Sequence, residues 1–178
     1  MFTKNSRNRF DKKDSLELGQ KAEEAFARLA MQQGWKVEPA SEAGNMDDHY
    51  DYIISKENQT FKVEVKGKKR VNRSDEGTQD ELIWVELHGV REKDPGWLFG
   101  KADLIAFELT TSFRLVKRVD LVKVINSLLD FNAHVSKPEE ALYKQYSRPG
   151  RHDSLTMIRA EDLRKVVWEE WGIKSRLD

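Results

Sequence analysis

The sequence predicts a mixed α/β fold, a single mixed β-sheet flanked by helices. Three observations carry this. Apolar residues recur at helical spacing over residues 15–33, the period switches to two over residues 49–67, and the later part of the chain alternates strand-like and helix-like runs.

The first helix is SLELGQKAEEAFARLAMQQ, residues 15–33, with Leu18, Ala22, Ala25, Phe26 and Leu29 on one stripe, Ser15 placed to cap it and Gly34 to end it. A short strand, WKVEPA, is ended by Pro39, and a polar loop, SEAGNMDDH, follows. HYDYIIS and TFKVEVKG alternate in the strand manner and are joined by the polar turn KENQ, so they pair antiparallel. Residues 68–80 are nearly all polar and read as an exposed, mobile loop. LIWVELHG is a further strand, ADLIAFEL is apolar enough for a central one, and SFRLVK is another. DLVKVINSLLDF carries a helical stripe of Leu121, Val124, Ile125, Leu128 and Leu129. The tract KPEEALYKQYSRPGRHD reads as irregular, SLTMIR as a last strand and EDLRKVVWEEWG as a closing helix. Residues 1–14 read as a flexible basic arm and residues 15–178 as a single domain.

Composition narrows the function. The 178 residues hold 31 Lys and Arg against 31 Asp and Glu, with eight Phe, five Trp and four Tyr, which supports a real core under a highly charged surface. The absence of Cys excludes disulfides, thiolate zinc sites and cysteine nucleophiles. No apolar run approaches the roughly 18 residues of a membrane span, and the amino terminus lacks the apolar stretch of a signal peptide, so the expected location is cytoplasmic. Zero net charge leaves a nucleic-acid partner open, because phosphate binding depends on where cations cluster. They cluster at residues 4–13, at Lys66, Lys68, Lys69, Arg70 and Arg73, and at Lys144, Arg148 and Arg151.

In TFKVEVK the apolar Phe61, Val63 and Val65 alternate with Lys62, Glu64 and Lys66, which places Glu64 and Lys66 on one strand face. The adjacent strand carries Asp51, and pairing through the KENQ turn lets Asp51 and Glu64 converge at one end of the sheet. Two carboxylates about a metal with a lysine beside them suit phosphodiester hydrolysis. Mg²⁺ takes oxygen ligands and keeps several waters, so one or two carboxylates and a carbonyl, here that of Val65, suffice; Mn²⁺ would substitute. The ion neutralises the phosphate and activates a water, and the ammonium of Lys66 stabilises developing negative charge.

These residues resemble the PD-(D/E)xK nuclease superfamily, the restriction-endonuclease-like fold, with Asp51 followed by Glu64-Val65-Lys66 as the motif. Members commonly carry an acid on the first helix, and the spacing in GQKAEEAFARLAMQQGW is similar to that of archaeal Holliday-junction resolvases, which assigns this acid to Glu23, with Glu24 as its rival. The resemblance runs from about Leu16 to Lys69, while GWLFGKADLIAFEL is similar to small phage and bacterial nucleases of the superfamily. Tyr50 stands where the motif has proline, which leaves Asp47 and Asp48 as rivals of Asp51. The family implies a metal-dependent DNA endonuclease, with branched or structured DNA as the suggested substrate and a homodimer as the suggested assembly.

Other features are weaker. His49, His88, His134 and His152 have no partner at helical zinc spacing, and the roles of His49 and Glu86 stay open. Neither a nucleophile elbow nor a phosphate-binding glycine loop occurs. The tract from Tyr143 to Arg151 interleaves aromatics and cations in the manner of a strand clamp, and Lys68, Lys69, Arg70, Arg148 and Arg151 are candidate DNA contacts. The alternative function is a DNA-binding module of the same fold without catalysis, or a subunit of a larger complex.

Overall fold

The computed structural model describes residues 4–72 and 74–173, with side chains from residue 15 onward. The fold is mixed α/β, as the periodicities predict, but its strands divide between two sheets rather than one. A six-stranded sheet has the order β1 (Lys36–Pro39), β2 (Tyr52–Lys56), β3 (Gln59–Lys66), β5 (Leu104–Glu108), β6 (Ser112–Lys117) and β10 (Val167–Gly172). A four-stranded sheet has the order β4 (Leu82–His88), β9 (Ser154–Arg159), β8 (Lys144–Ser147) and β7 (Asp130–Val135). In the first sheet β3 and β5 are parallel and the other neighbours antiparallel. Among the described residues three α-helices complete the frame, α1 (Lys4–Gln32), α2 (Glu42–Met46) and α3 (Arg118–Leu128). Among the described residues no helix is long and apolar enough to cross a membrane.

The six-stranded sheet is covered on both faces. Ala22, Phe26, Leu29 and Ala30 of α1 bury against Ile54, Val63, Val65, Leu104 and Phe113 on one face. On the other, Ile105, Phe107 and Val116 pack with Leu121 and Ile125 of α3 and with Ile83, Val85 and Ile158 of the four-stranded sheet. Strand alternation does this sorting: Val63 and Val65 face α1, so Glu64 and Lys66 face the second sheet.

Several expectations need correction. The first helix begins at Lys4, so the backbone of residues 4–14 continues the helix rather than forming an arm, and Ser15 lies inside it, not at its cap. Residues 1–3 and Arg73 lie outside the described residues. The closing helix over residues 161–172 is a 3₁₀ helix, Ala160–Val166, followed by β10, which takes the open edge of β6. Its Trp171 stacks on Phe26 with ring centroids 5.7 Å apart, while Arg114 pairs with Glu170 at 3.0 Å across the strands. The helical spacing of Val167, Trp168 and Trp171 is overridden by the open edge of β6, and the register shift between Val167 and Glu169 brings both tryptophans, three residues apart, against the same core. The tract read as irregular contributes β8, and the polar loop before Asp51 contains α2, capped by the Ser41 side chain accepting from the Gly44 N–H at 3.0 Å. The loop of residues 68–80 is folded back on itself: the Gln79 N–H and side-chain amide both reach the Lys69 carbonyl, the latter at 3.1 Å.

Candidate active site

The β2–β3 hairpin turns at Glu57, which adopts φ 53°, and register pairs Tyr52 with Val63. Asp51 lies just before β2, where its N–H still donates to the Val63 carbonyl at 2.8 Å and its carbonyl accepts from Ala40 at 2.8 Å. Strand pairing along this edge of β3 stops at Val63. The next inward N–H, that of Val65, would be left without a β2 carbonyl, and the Asp51 carboxylate takes it at 2.7 Å through Oδ2. Asn45, at the end of α2, donates its amide to Oδ1 of the same carboxylate at 2.8 Å. Both oxygens of Asp51 are thereby oriented.

Glu64 is only 5% exposed and carries a direct ion pair to the Lys66 ammonium, which also lies 5.3 Å from the centroid of the Trp97 ring. Glu23 comes from α1, half-buried between Ala22 and Phe26. The helix can approach because residue 67 is glycine: a Cβ there would lie 3.1 Å from that of Ala22.

The electrostatics follow from this crowding. Burial, and then the Glu64 charge, push the Asp51 carboxyl up to about 7 against the opposing pull of the Val65 N–H. Burial and Glu64 likewise raise Glu23. Desolvation pulls the Lys66 ammonium down, but the Glu64, Asp51 and Glu86 carboxylates outweigh it and hold Lys66 above its ordinary value. Lys69 is pushed down by desolvation and by the Lys66 and Arg148 charges. Lys66, paired with Glu64, also lines a cleft with Lys68, Lys69, Trp84 and Trp97 and with the acids Asp80, Glu86 and Glu108.

The structure thus brings Glu23, Asp51, Glu64 and Lys66 within electrostatic reach of one another, with the Val65 backbone between them. Among the described residues no group of three His, Cys, Asp or Glu side chains stands ready-made to hold a metal ion. The rivals are engaged elsewhere. Glu24 is exposed and accepts from Gln20 at 3.4 Å, Asp48 pairs with Lys101 at 2.9 Å, and Asp47 with Arg91 at 3.4 Å. Glu86 accepts the Trp97 N–H at 3.2 Å, and His49 meets Asp94 at 2.6 Å, which in turn accepts the Gly96 N–H.

The proposed DNA cations separate into two kinds. Lys68 and Lys69 line the cleft, and Lys69, Arg70 and Arg151 are exposed. Arg148 is tied to Asp153, whose side chain is 3% exposed, so it serves the packing of its own loop first. Asn45 and Trp97 are the residues that sequence reasoning missed. No local pattern marks Asn45, because the turn of helix that aims it lies in a polar stretch. Trp97 had a weak signal, an aromatic directly after the Pro95-Gly96 turn.

Compared with known proteins, the chain matches no protein family, and no curated protein matches it in sequence. Among solved structures it is similar to a bacterial homing endonuclease, with a TM-score of 0.46 and 16% identity, over 61% of this chain and 72% of that one.

Proposed function

We propose that this chain is a divalent-metal-dependent endonuclease that hydrolyses phosphodiester bonds in DNA, with a site of the PD-(D/E)xK kind. One observation carries the reading: a half-buried carboxylate, Asp51, is locked onto the backbone N–H between the buried Glu64 and Lys66 and driven to about 7 by desolvation and by Glu64. A protein gains no stability from pressing two acids together, and such pairs persist where a cation or a reaction uses them.

The donor set suits Mg²⁺ or Mn²⁺. Asp51 and Glu64 supply carboxylate oxygens and Val65 a carbonyl, all hard ligands, and an octahedral ion completes its shell with water. Such an ion, when bound, neutralises the phosphodiester and supplies an activated water. The chain does the rest. Asn45 and the Val65 N–H hold the Asp51 carboxylate in one orientation, so no ordering is needed when the ligand arrives. Lys66, kept protonated by its carboxylate neighbours and steadied over Trp97, faces the negative charge that builds on the phosphate. Glu23 adds a third acid from the helix edge, and Lys68, Lys69, Arg70 and Arg151 attract the backbone of the strand.

The second reading, a DNA-binding module or subunit without catalysis, is favoured by the absence of a three-residue metal group among the described residues. The two are separated by incubating the EDTA-stripped protein with a four-way junction, a linear duplex, a nicked duplex and a single strand, with Mg²⁺, Mn²⁺ or EDTA. The nuclease reading expects cleavage with either ion and none in EDTA. Binding without cleavage of any substrate would leave the second reading. Cutting both strands of a duplex takes two copies of such a site or two successive nicks, and light scattering of the protein on its substrate separates a homodimer from a monomer.

A further inference from the structure

The cleft runs from Lys66 to a part of the four-stranded sheet that the proposed chemistry does not use. On β4 the side chains of Ile83, Val85 and Leu87 enter the core, so alternation turns Trp84 and Glu86 to the opposite face. Register places Leu155 of β9 and Tyr146 of β8 on that face too. The Trp84 and Tyr146 rings lie 5.6 Å apart at 45°, and the Trp84 indole N–H donates to the Arg70 carbonyl at 3.1 Å, which fixes its orientation. Both rings are half-buried, unlike Trp97 and Trp171, which are sealed into the core at 5% and 4% exposure. Trp84 and Leu155 share the cleft lining with the cations Lys66, Lys68 and Lys69 and the acids Asp80, Glu86 and Glu108, and Tyr146 adjoins the cleft through its contact with Trp84.

An oriented aromatic surface beside cations, continuous with a site for phosphate chemistry, selects among ligands. A paired duplex hides its base faces in the stack and offers only its backbone. An apolar peptide would match the rings but not the cations around them. An unpaired nucleotide offers a π-face and a phosphate together. We propose that Trp84 and Tyr146 form a stacking platform for an unpaired nucleotide, so that the DNA held in the cleft carries a single-stranded segment next to the reacting phosphate. This deepens the nuclease reading and rests on it for the fate of the strand, while its test reads binding alone.

The test is fluorescence anisotropy in EDTA with a labelled oligothymidylate and a labelled duplex of equal length. Trp84→Ala and Tyr146→Ala should each weaken oligothymidylate binding by about tenfold or more and change duplex binding by less than about twofold, a size expected for loss of one base–aromatic stack. Trp84→Phe should recover most of the loss, whereas Trp84→Leu, which fills the space without a π-face, should not. Equal weakening on both ligands, no weakening on either, or Trp84→Leu matching Trp84→Phe would overturn the platform. If Trp84→Ala melts early, the Phe and Leu pair at the same position carries the comparison. A protein that shows these losses but cleaves nothing keeps the platform and loses the nuclease reading. One that cleaves with Mg²⁺ while the platform variants bind like wild type does the reverse.

Discussion

The Asp51 carboxylate occupies the place of a missing strand neighbour, accepting the Val65 N–H at 2.7 Å where the β2–β3 ladder has run out. The side chain thus completes the sheet and faces Glu64 at once. Its removal should therefore have separable structural and chemical effects.

Cleavage should fall by about 100-fold or more in Asp51→Asn and in Glu64→Gln, since in the proposed mechanism each removes a charged ligand of the ion that carries the electrostatic stabilisation. Circular dichroism should be unchanged. Wild-type cleavage in either variant, measured across the substrate panel, would refute the site.

Stability should respond to pH in a set direction. Asp51 has an ordinary carboxyl value of 3.8 and is raised to about 7 in the fold, so the folded state holds its proton more tightly than the unfolded chain. The resulting stabilisation is complete below about 3.8 and is lost as pH rises through about 7. In EDTA, urea unfolding should show the wild type losing stability as pH rises from about 4 through about 7. Asp51→Asn, which cannot ionise, should flatten the loss and be more stable than wild type at the upper pH by on the order of 1 kcal/mol.

Lys66→Ala should abolish turnover and leave DNA affinity nearly intact, because one ammonium among several cations adds little to ground-state binding. It also strips the buried Glu64 of its ion pair, at a cost of about 1–3 kcal/mol in the metal-free protein. Lys66→Arg should not restore turnover, since a planar fork does not replace a compact ammonium. Gel-shift titration beside single-turnover cleavage measures both; an equal loss of binding and rate would make Lys66 an ordinary phosphate contact.

Asn45→Ala should leave the fold intact and raise the Mg²⁺ concentration for half-maximal cleavage by about tenfold, the usual effect of losing a residue that orients a ligand. Activity at saturating metal should recover in large part. A fall in rate with no change in metal requirement would separate Asn45 from Asp51.

Arg148→Ala should lower the melting temperature, because it leaves Asp153 buried without its cation. Lys69→Ala and Arg151→Ala should instead flatten the slope of log affinity against log salt by about 0.9 each on duplex. Binding titrations at several salt concentrations distinguish the two behaviours.

The central hairpin was legible because period-two alternation sets which side chains share a face, and that is enough to bring Glu64 and Lys66 together and to aim Asp51 at them. The helix α1 was legible by the same means on a 3.6 period. What stayed hidden depends on long-range pairing. EDLRKVVWEEWG has an apolar spacing that fits a helix, and only the open edge of β6 makes it a strand. The division into two sheets is equally invisible in local pattern, since β4 sits in sequence between β3 and β5 yet pairs with β9. Arg148 looked like a DNA cation because its partner, Asp153, is reached by a loop whose course no periodicity describes.

The tight turn at Glu57 has a consequence for the order of assembly. Closing a hairpin is a microsecond event that needs no distant contact, so Asp51 and Glu64 meet as soon as β2 and β3 zip together. The strand that walls them in joins by a non-local pairing, Leu104 of β5 with Val63, and pairings of high sequence separation form slowly. The acids are thus neighbours first and desolvated second. Their repulsion is felt in the later step, so a divalent ion present during refolding should speed the docking of β5 on β3 and leave hairpin closure untouched.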